Sequence, residues 1–426
     1  MTDPTVNPVS GSRFDRAWRR VRNWARGESP TADQKLEQVR AKTPAPVLWL
    51  YGKTQSGKTS VVRFLTGATD AEIGNGFRPC TRHSRQYPFP TEDAPVFTFL
   101  DTRGVDEPGY DPAEEIAAFD AQAHLLIVTC RVTDFATGRL RETLKTVRDA
   151  NPRRPVLLVL TCLHEAYPQQ QHPQPYPFSG DLTPRLPLQS GEGEKNQDPL
   201  SPPLRVGEGA GGWGSSEVPR LLSLQREHFA GLVDRVIPVD LTRPEEGFDD
   251  PNYGGEALKQ AILELLPTAF RETLRHLTDA QQQFRDRHER RAAPVLVGYS
   301  SLAATAGALP IPFVDLLTIP AVQARMVKAL ADLSGDKESG TRFLELSASA
   351  GVGLLAAVGA RQLVKLIPYV GSVVGAGLAG ASTYALGRAF LEYDRRVNDG
   401  HLPDKAEVAR LYREHLTAAE RSWGKK

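Results

Sequence analysis

Charge imbalance is the first thing this 426-residue sequence lacks: 52 Lys and Arg stand against 51 Asp and Glu, a formal net charge of +1. No global field draws a polyanion, so any electrostatic partner has to be met by a local patch, and nucleic acid is not expected as a partner. Cysteine is scarce. Cys80, Cys130 and Cys162 are odd in number and have no metal-ligand spacing, which reads as reduced thiols rather than a disulfide framework. No His/Cys cluster has zinc spacing, and no Ser-His-Asp arrangement is recognisable. The opening residues, MTDPTVNPVSGSRF, lack the apolar core and small-residue cleavage site of a signal peptide, so the expected location is cytoplasmic. What is present, 40% hydrophobic and 24% charged residues, suffices for two or three domains with a sizeable core.

Along the chain the pattern falls into four regions. Residues 1–45 hold a short basic amphipathic helix, RFDRAWRRVRNWAR, with Phe14, Trp18, Val21 and Ala25 on one face and six arginines elsewhere. It reads either as a helix laid on an anionic membrane or as one packed on a neighbouring domain. Residues 46–270 alternate short apolar runs with polar helical stretches, as the strands and crossover helices of a mostly parallel sheet do. The expected strands are 46–51, 94–100, 123–129, 155–161 and 235–241, and EALKQAILELLPTAF (256–270) is expected as the helix that closes the domain. About 169–218 is rich in Pro, Gly, Gln and Ser and reads as a disordered insertion. Residues 271–395 form an all-α hydrophobic region in which 293–314 and 366–387 carry no charge. There Ile311-Pro312-Phe313-Val314 and Ile367-Pro368-Tyr369-Val370 suggest two related hairpins, and 396–426 reads as a final polar helix.

The stretch that carries chemistry is Gly52-Lys53-Thr54-Gln55-Ser56-Gly57-Lys58-Thr59-Ser60, behind the apolar run PVLWLY and ahead of SVVRFLTG. It matches GxxxxGK[ST] in the required strand-loop-helix context. Gly52 and Gly57 let successive N–H groups face a phosphate at a helix N-terminus, Lys58 reaches the β- and γ-phosphates, and the Thr59 hydroxyl is a Mg²⁺ ligand. Downstream, VFTFL runs into Asp101-Thr102-Arg103-Gly104, where the carboxylate holds the metal's water shell and the Gly104 N–H senses the γ-phosphate. Thr81, in the loop upstream of that strand, is the further expected ligand of metal and γ-phosphate. Lys58, Thr81, Asp101 and Gly104 are the expected catalytic set, and Thr59, Thr81 and Asp101 the metal set.

With these motifs in this order, the chain resembles the Era-like and dynamin-like branch of the P-loop GTPases over roughly 46–168 and 235–270. The resemblance implies a Rossmann-like sheet, GTP as substrate, Mg²⁺ as cofactor, and base recognition after the strand that ends in Thr161-Cys162-Leu163-His164-Glu165. There the family carries Asn/Thr-Lys-x-Asp, whose aspartate accepts two hydrogen bonds from guanine. His164 stands in the aspartate's place and Glu165 follows it, so Thr161, His164 and Glu165 are the expected base contacts. Val105 follows DxxG, where Ras-like enzymes have a water-orienting glutamine. Help from a partner or from a second copy in a homodimer is therefore an open route. LPIPFVDLLTIPAVQARMVKALADLSG (309–335) and LVKLIPYVGSVVGAGLAGASTYALGRAF (363–390) resemble the YcjF-like family of unknown function, which implies membrane association. Uncharged stretches of this length reach across a bilayer, yet Gly371, Gly375 and Gly380 equally suit a tight helix bundle. The expected function is a Mg²⁺-dependent GTP hydrolase that switches a helical domain meeting lipid or a partner protein. The alternative is an ATP-binding P-loop protein or a nucleotide-holding scaffold.

Overall fold

A computed structural model describes residues 36–43, 45–79, 84–102, 122–167, 171–178, 217–284, 287–308, 314–350 and 370–423. The basic N-terminal helix, Thr81, Gly104, and both Ile-Pro signatures up to Phe313 and Tyr369 lie outside the described residues. The chain divides into two compact units, one of 46–87 with 98–268, the other of 1–45 with 88–97 and 269–426.

The first unit is built on a seven-stranded sheet in the order β2-β3-β4-β1-β5-β6-β7. The strands are β1 Val47–Gly52, β2 Arg78–Pro79, β3 Ser84–Phe89, β4 Phe97–Thr102, β5 Leu125–Arg131, β6 Val156–Thr161 and β7 Arg235–Pro238. β1 lies parallel to both β4 and β5, and β5, β6 and β7 continue in parallel, while β2 and β3 pair antiparallel. The central strands carry unbroken apolar runs because both sheet faces are covered: Leu125 to Val128 and Val156 to Leu160 are all 1% exposed or less. α1 Lys58–Thr66, α2 Asp70–Gly76, α3 Gly138–Ala150, α4 Glu217–His228 and α5 Gly255–Leu265 complete the unit.

Two expectations need correction. The helix expected over 256–270 ends at Leu265, and a separate helix α6, Thr268–Gln283, begins just past Pro267. Proline has no N–H to continue the ladder, and its ring forces the preceding residue out of helical geometry. The segment expected to be disordered from about 169 begins with packed chain. Phe178 is buried, the Tyr176 hydroxyl donates to the Pro238 carbonyl at 2.8 Å, and the Tyr253 hydroxyl donates to the Pro173 carbonyl at 2.8 Å. Low β-branched content concealed three aromatic anchors, His172, Tyr176 and Phe178, spaced by prolines.

The second unit is helical: α7 Arg287–Ala308, α8 Val314–Ser334, α9 Lys337–Ser349, α10 Val370–Asn398 and α11 Lys405–Trp423. α7 is buried nearly all round from Ala292 to Leu302, the signature of a helix enclosed by others. It packs along α10, and α10 along α11. Small residues set how closely these helices approach. A Cβ on Gly387 of α10 would fall 2.1 Å from Leu296 Cδ2 on α7, and one on Gly307 of α7 would fall 2.5 Å from the Gly375 carbonyl oxygen. None of the described helices is long and apolar enough to cross a membrane; their Gly, Ala and Ser content removes charge without adding much hydrophobicity. Residues 88–97, which join β3 to β4, belong to this unit. Asp93 pairs with Arg40 and, at 2.9 Å, with Arg325 of α8, and its backbone carbonyl accepts from Arg40 Nε at 3.1 Å. The Ala94 carbonyl lies so close to α7 that a Cβ on Gly298 would sit 2.2 Å from its oxygen.

Candidate functional site

The site grows from the carboxyl end of β1. At Gly52 the chain leaves the sheet with φ +157°, and a Cβ there would fall 2.5 Å from both the carbonyl oxygen and the hydroxyl of Thr129, and 2.7 Å from Ser56 Oγ. Only glycine fits. The loop then passes Gln55 at φ +62° and enters α1 through Gly57 at φ +92°, where a Cβ would meet Thr161 Cγ2 at 3.0 Å. Gly57 gives α1 no side-chain cap, and the first turn holds no acidic residue. The unsatisfied N–H groups and positive dipole end of the helix are thus offered to an anion.

Neighbouring strands brace this loop. Ser56 Oγ and Thr129 Oγ1 are 2.5 Å apart and buried, and the Thr161 hydroxyl donates to the Ser56 carbonyl at 2.9 Å. Lys58 Nζ donates to the carbonyls of Gly52 (2.8 Å) and Lys53 (2.9 Å), curled over the loop where a phosphate would draw it outward. Thr54, Gln55 and Thr59 are exposed, and Ser60 is half-buried. Lys53 is committed elsewhere, with Nζ 2.8 Å from Asp134 Oδ2 and 2.6 Å from the Ala136 carbonyl. On β4, opposite Leu50 of β1, Asp101 carries a buried Oδ1 without a hydrogen-bond partner among the described residues. Burial raises its pKa above the usual carboxylate value, against the opposing pull of Lys58 and then Arg85.

At the end of β6, Cys162 turns the chain with φ +58° into a single 3-10 turn, Leu163–Ala166. Cys130 and Cys162 are free thiols. Glu165 pairs with Arg131 and accepts from the Thr133 hydroxyl at 3.2 Å, so its carboxylate is engaged at the end of β5. His164 is held by Asp240, two residues past β7: the Asp240 carboxylate accepts the His164 backbone N–H at 2.6 Å and lies 2.8 Å from Nδ1. Asp240 also meets His172 Nε2 at 2.9 Å, and the His172 ring stacks on Tyr253 at 4.3 Å, 9° from parallel. Sequence reasoning missed both. Asp240 had a signal, a lone carboxylate closing the apolar run RVIPV; His172 had none, since it sits among Gln and Pro. The structure therefore gathers Gly52–Ser60, Asp101, Thr161 and His164 around the carboxyl ends of parallel strands, where ligands of open α/β sheets bind.

Such a sheet, loop and helix terminus define a P-loop nucleotide-binding domain, here followed by an all-α domain. Residues 47–162 match the family described as 50S ribosome-binding GTPase, and residues 272–421 match a domain of unknown function, DUF697. "Magnetosome membrane protein 22" of Magnetospirillum gryphiswaldense is 34% identical over 119 residues, 25% of this chain and 60% of that protein; the chain thus spans less than two thirds of this relative's length. Among solved structures, the LeoA bacterial dynamin GTPase from ETEC matches with 11% identity and a TM-score of 0.36, over 96% of this chain and 94% of its own. A GTP-binding protein from Sulfolobus solfataricus in complex with GDP matches with 15% identity and a TM-score of 0.24, over 60% and 67%.

Proposed function

We propose that this chain binds GTP with Mg²⁺ on the loop Gly52–Ser60, hydrolyses it, and uses the nucleotide state to control its helical domain, which meets a membrane surface. The observation that carries the reading is the uncapped N-terminus of α1 with Lys58 folded over it and an unpartnered carboxylate oxygen of Asp101 nearby in the sheet. Oxygen donors of this kind, Asp101 and the exposed Thr59 hydroxyl, suit a hard cation such as Mg²⁺. The metal would neutralise charge developing between the β- and γ-phosphates. Thr81 and Gly104 are assigned to the γ-phosphate, completing the switch with Asp101, and Lys58 stabilises the transferred group's charge. Similarity to a protein named for a magnetosome membrane supports the membrane over a protein partner. Location at the cytoplasmic face and a homodimer that completes catalysis belong to the same reading. The test is co-sedimentation of the full chain with anionic vesicles in GDP and in a non-hydrolysable GTP analogue, beside GTP turnover with and without vesicles. Nucleotide-dependent binding is expected, and equal binding in both states would overturn the switch.

Asp101→Asn separates the metal from the fold. In the nucleotide-free protein burial disfavours the charged form of the Asp101 carboxylate, so the uncharged amide should raise stability at neutral pH by about 1 kcal/mol. The same variant should lose the Mg²⁺ dependence of GTP binding. A lower melting temperature, or retained Mg²⁺ dependence, would contradict the assignment.

A further inference from the structure

The carboxylate that the base-reading position lacks in sequence is present in space, but it is turned onto the histidine. Asp240 is 2% exposed and receives three donors: the His164 backbone N–H, His164 Nδ1 and His172 Nε2. A carboxylate only accepts, so Nδ1 of His164 must carry the proton, and in the neutral ring Nε2 is left as a single lone-pair acceptor. Nε2 has no hydrogen-bond partner among the described residues, and the His164 side chain is 24% exposed. Phe248 lies against the ring at 5.1 Å between centroids. Three residues before His164, Thr161 is hydrogen-bonded to the phosphate loop, so a nucleotide whose phosphates lie on that loop has its base within the reach of this turn. Glu165 is turned toward the end of β5, where its two oxygens meet Arg131 and Thr133.

We infer that His164, locked in the Nδ1–H tautomer by Asp240, reads the purine through one hydrogen bond, accepting N1–H, and leaves the 2-amino group unread. The site is therefore selective for 6-oxopurine nucleotides as a class rather than for guanine. This rests on the proposal that the loop binds a nucleotide and that His164 faces its base. Guanine and hypoxanthine both present N1–H; adenine presents a lone pair there, which opposes that of Nε2. A pair of carboxylate oxygens would instead accept N1–H and the 2-amino group together. Asp240 is a positioning residue, and His172, braced on Tyr253, engages the same carboxylate.

The experiment compares the affinities of GTP, ITP and ATP for the full chain with Mg²⁺, in the native protein, His164→Asp and Asp240→Asn. In the native protein GTP and ITP should bind within about threefold of each other and each about tenfold more tightly than ATP. His164→Asp should make GTP about tenfold tighter than ITP. In Asp240→Asn a single acceptor oxygen remains for the three donors that met the carboxylate, so the Nδ1–H tautomer loses its lock and the ratio of GTP to ATP affinity should fall severalfold. The three nucleotides share the triphosphate, so a folding defect lowers all affinities together and leaves that ratio unmoved. Native GTP binding tenfold tighter than ITP, or equal binding of all three, would overturn the single-acceptor reading while leaving nucleotide binding intact. Absence of binding by any of the three would overturn the nucleotide site itself.

Discussion

Replacing Lys58 by alanine weakens GTP binding about a hundredfold or more and leaves the unfolding midpoint nearly unchanged. The ammonium is the cation that α1 places over the phosphate loop, and two charge-assisted hydrogen bonds to phosphate oxygens account for an effect of that size. In the free protein Nζ bonds the carbonyls of Gly52 and Lys53. Both bonds are part-buried, and an intramolecular hydrogen bond contributes little net of its exchange with water, so the stability cost stays at about 1 kcal/mol. Equilibrium titration with a fluorescent GTP analogue beside a urea melt makes the comparison. Retained affinity would mean the phosphates bind elsewhere.

Gly52→Ala acts on the fold and the site together. The new Cβ would fall 2.5 Å from two oxygens of Thr129, one of them a backbone carbonyl, and Gly52 and Thr129 are register partners in the β1–β5 ladder. Relief requires the end of β1 to move away from β5, at the point where the Ser56–Thr129 contact sets the loop. Overpacking and backbone strain together cost about 3 kcal/mol or more, and the phosphate cradle opens. Gly67→Ala is the control: its φ of +69° is also left-handed, but nothing lies within 4 Å of its Cβ, so the cost is about 1 kcal/mol. Similar losses for the two variants would remove the steric account of Gly52.

The elements that announced themselves in sequence are those whose physics is local. β1, β4, β5 and β6 read as apolar runs because each is buried on both faces, and the loop between β1 and α1 is legible because its glycines answer to backbone geometry within a few residues. β2 and β3 gave no such run: β3 is SRQYPF, where only Tyr87 and Phe89 turn inward. The base site was the least legible part. His164 marked where to look, but its proton is placed by Asp240, 76 residues on, and by His172 in a stretch whose composition suggests no fold. Spacing along a chain does not encode which of two carboxylates, Glu165 or Asp240, reaches the imidazole.

The ten residues 88–97 bear on what counts as a module in this protein. The polypeptide passes between its two units at 45/46, 87/88, 97/98 and 268/269, so no single scission yields two complete pieces. A fragment ending at 268 retains Asp93 and Arg40 but gives up Arg325, and it bares the Ala94 backbone that Gly298 covers. The connection between two strands of the sheet thus belongs to the helical unit. Grafting either unit onto a foreign partner carries away part of the other.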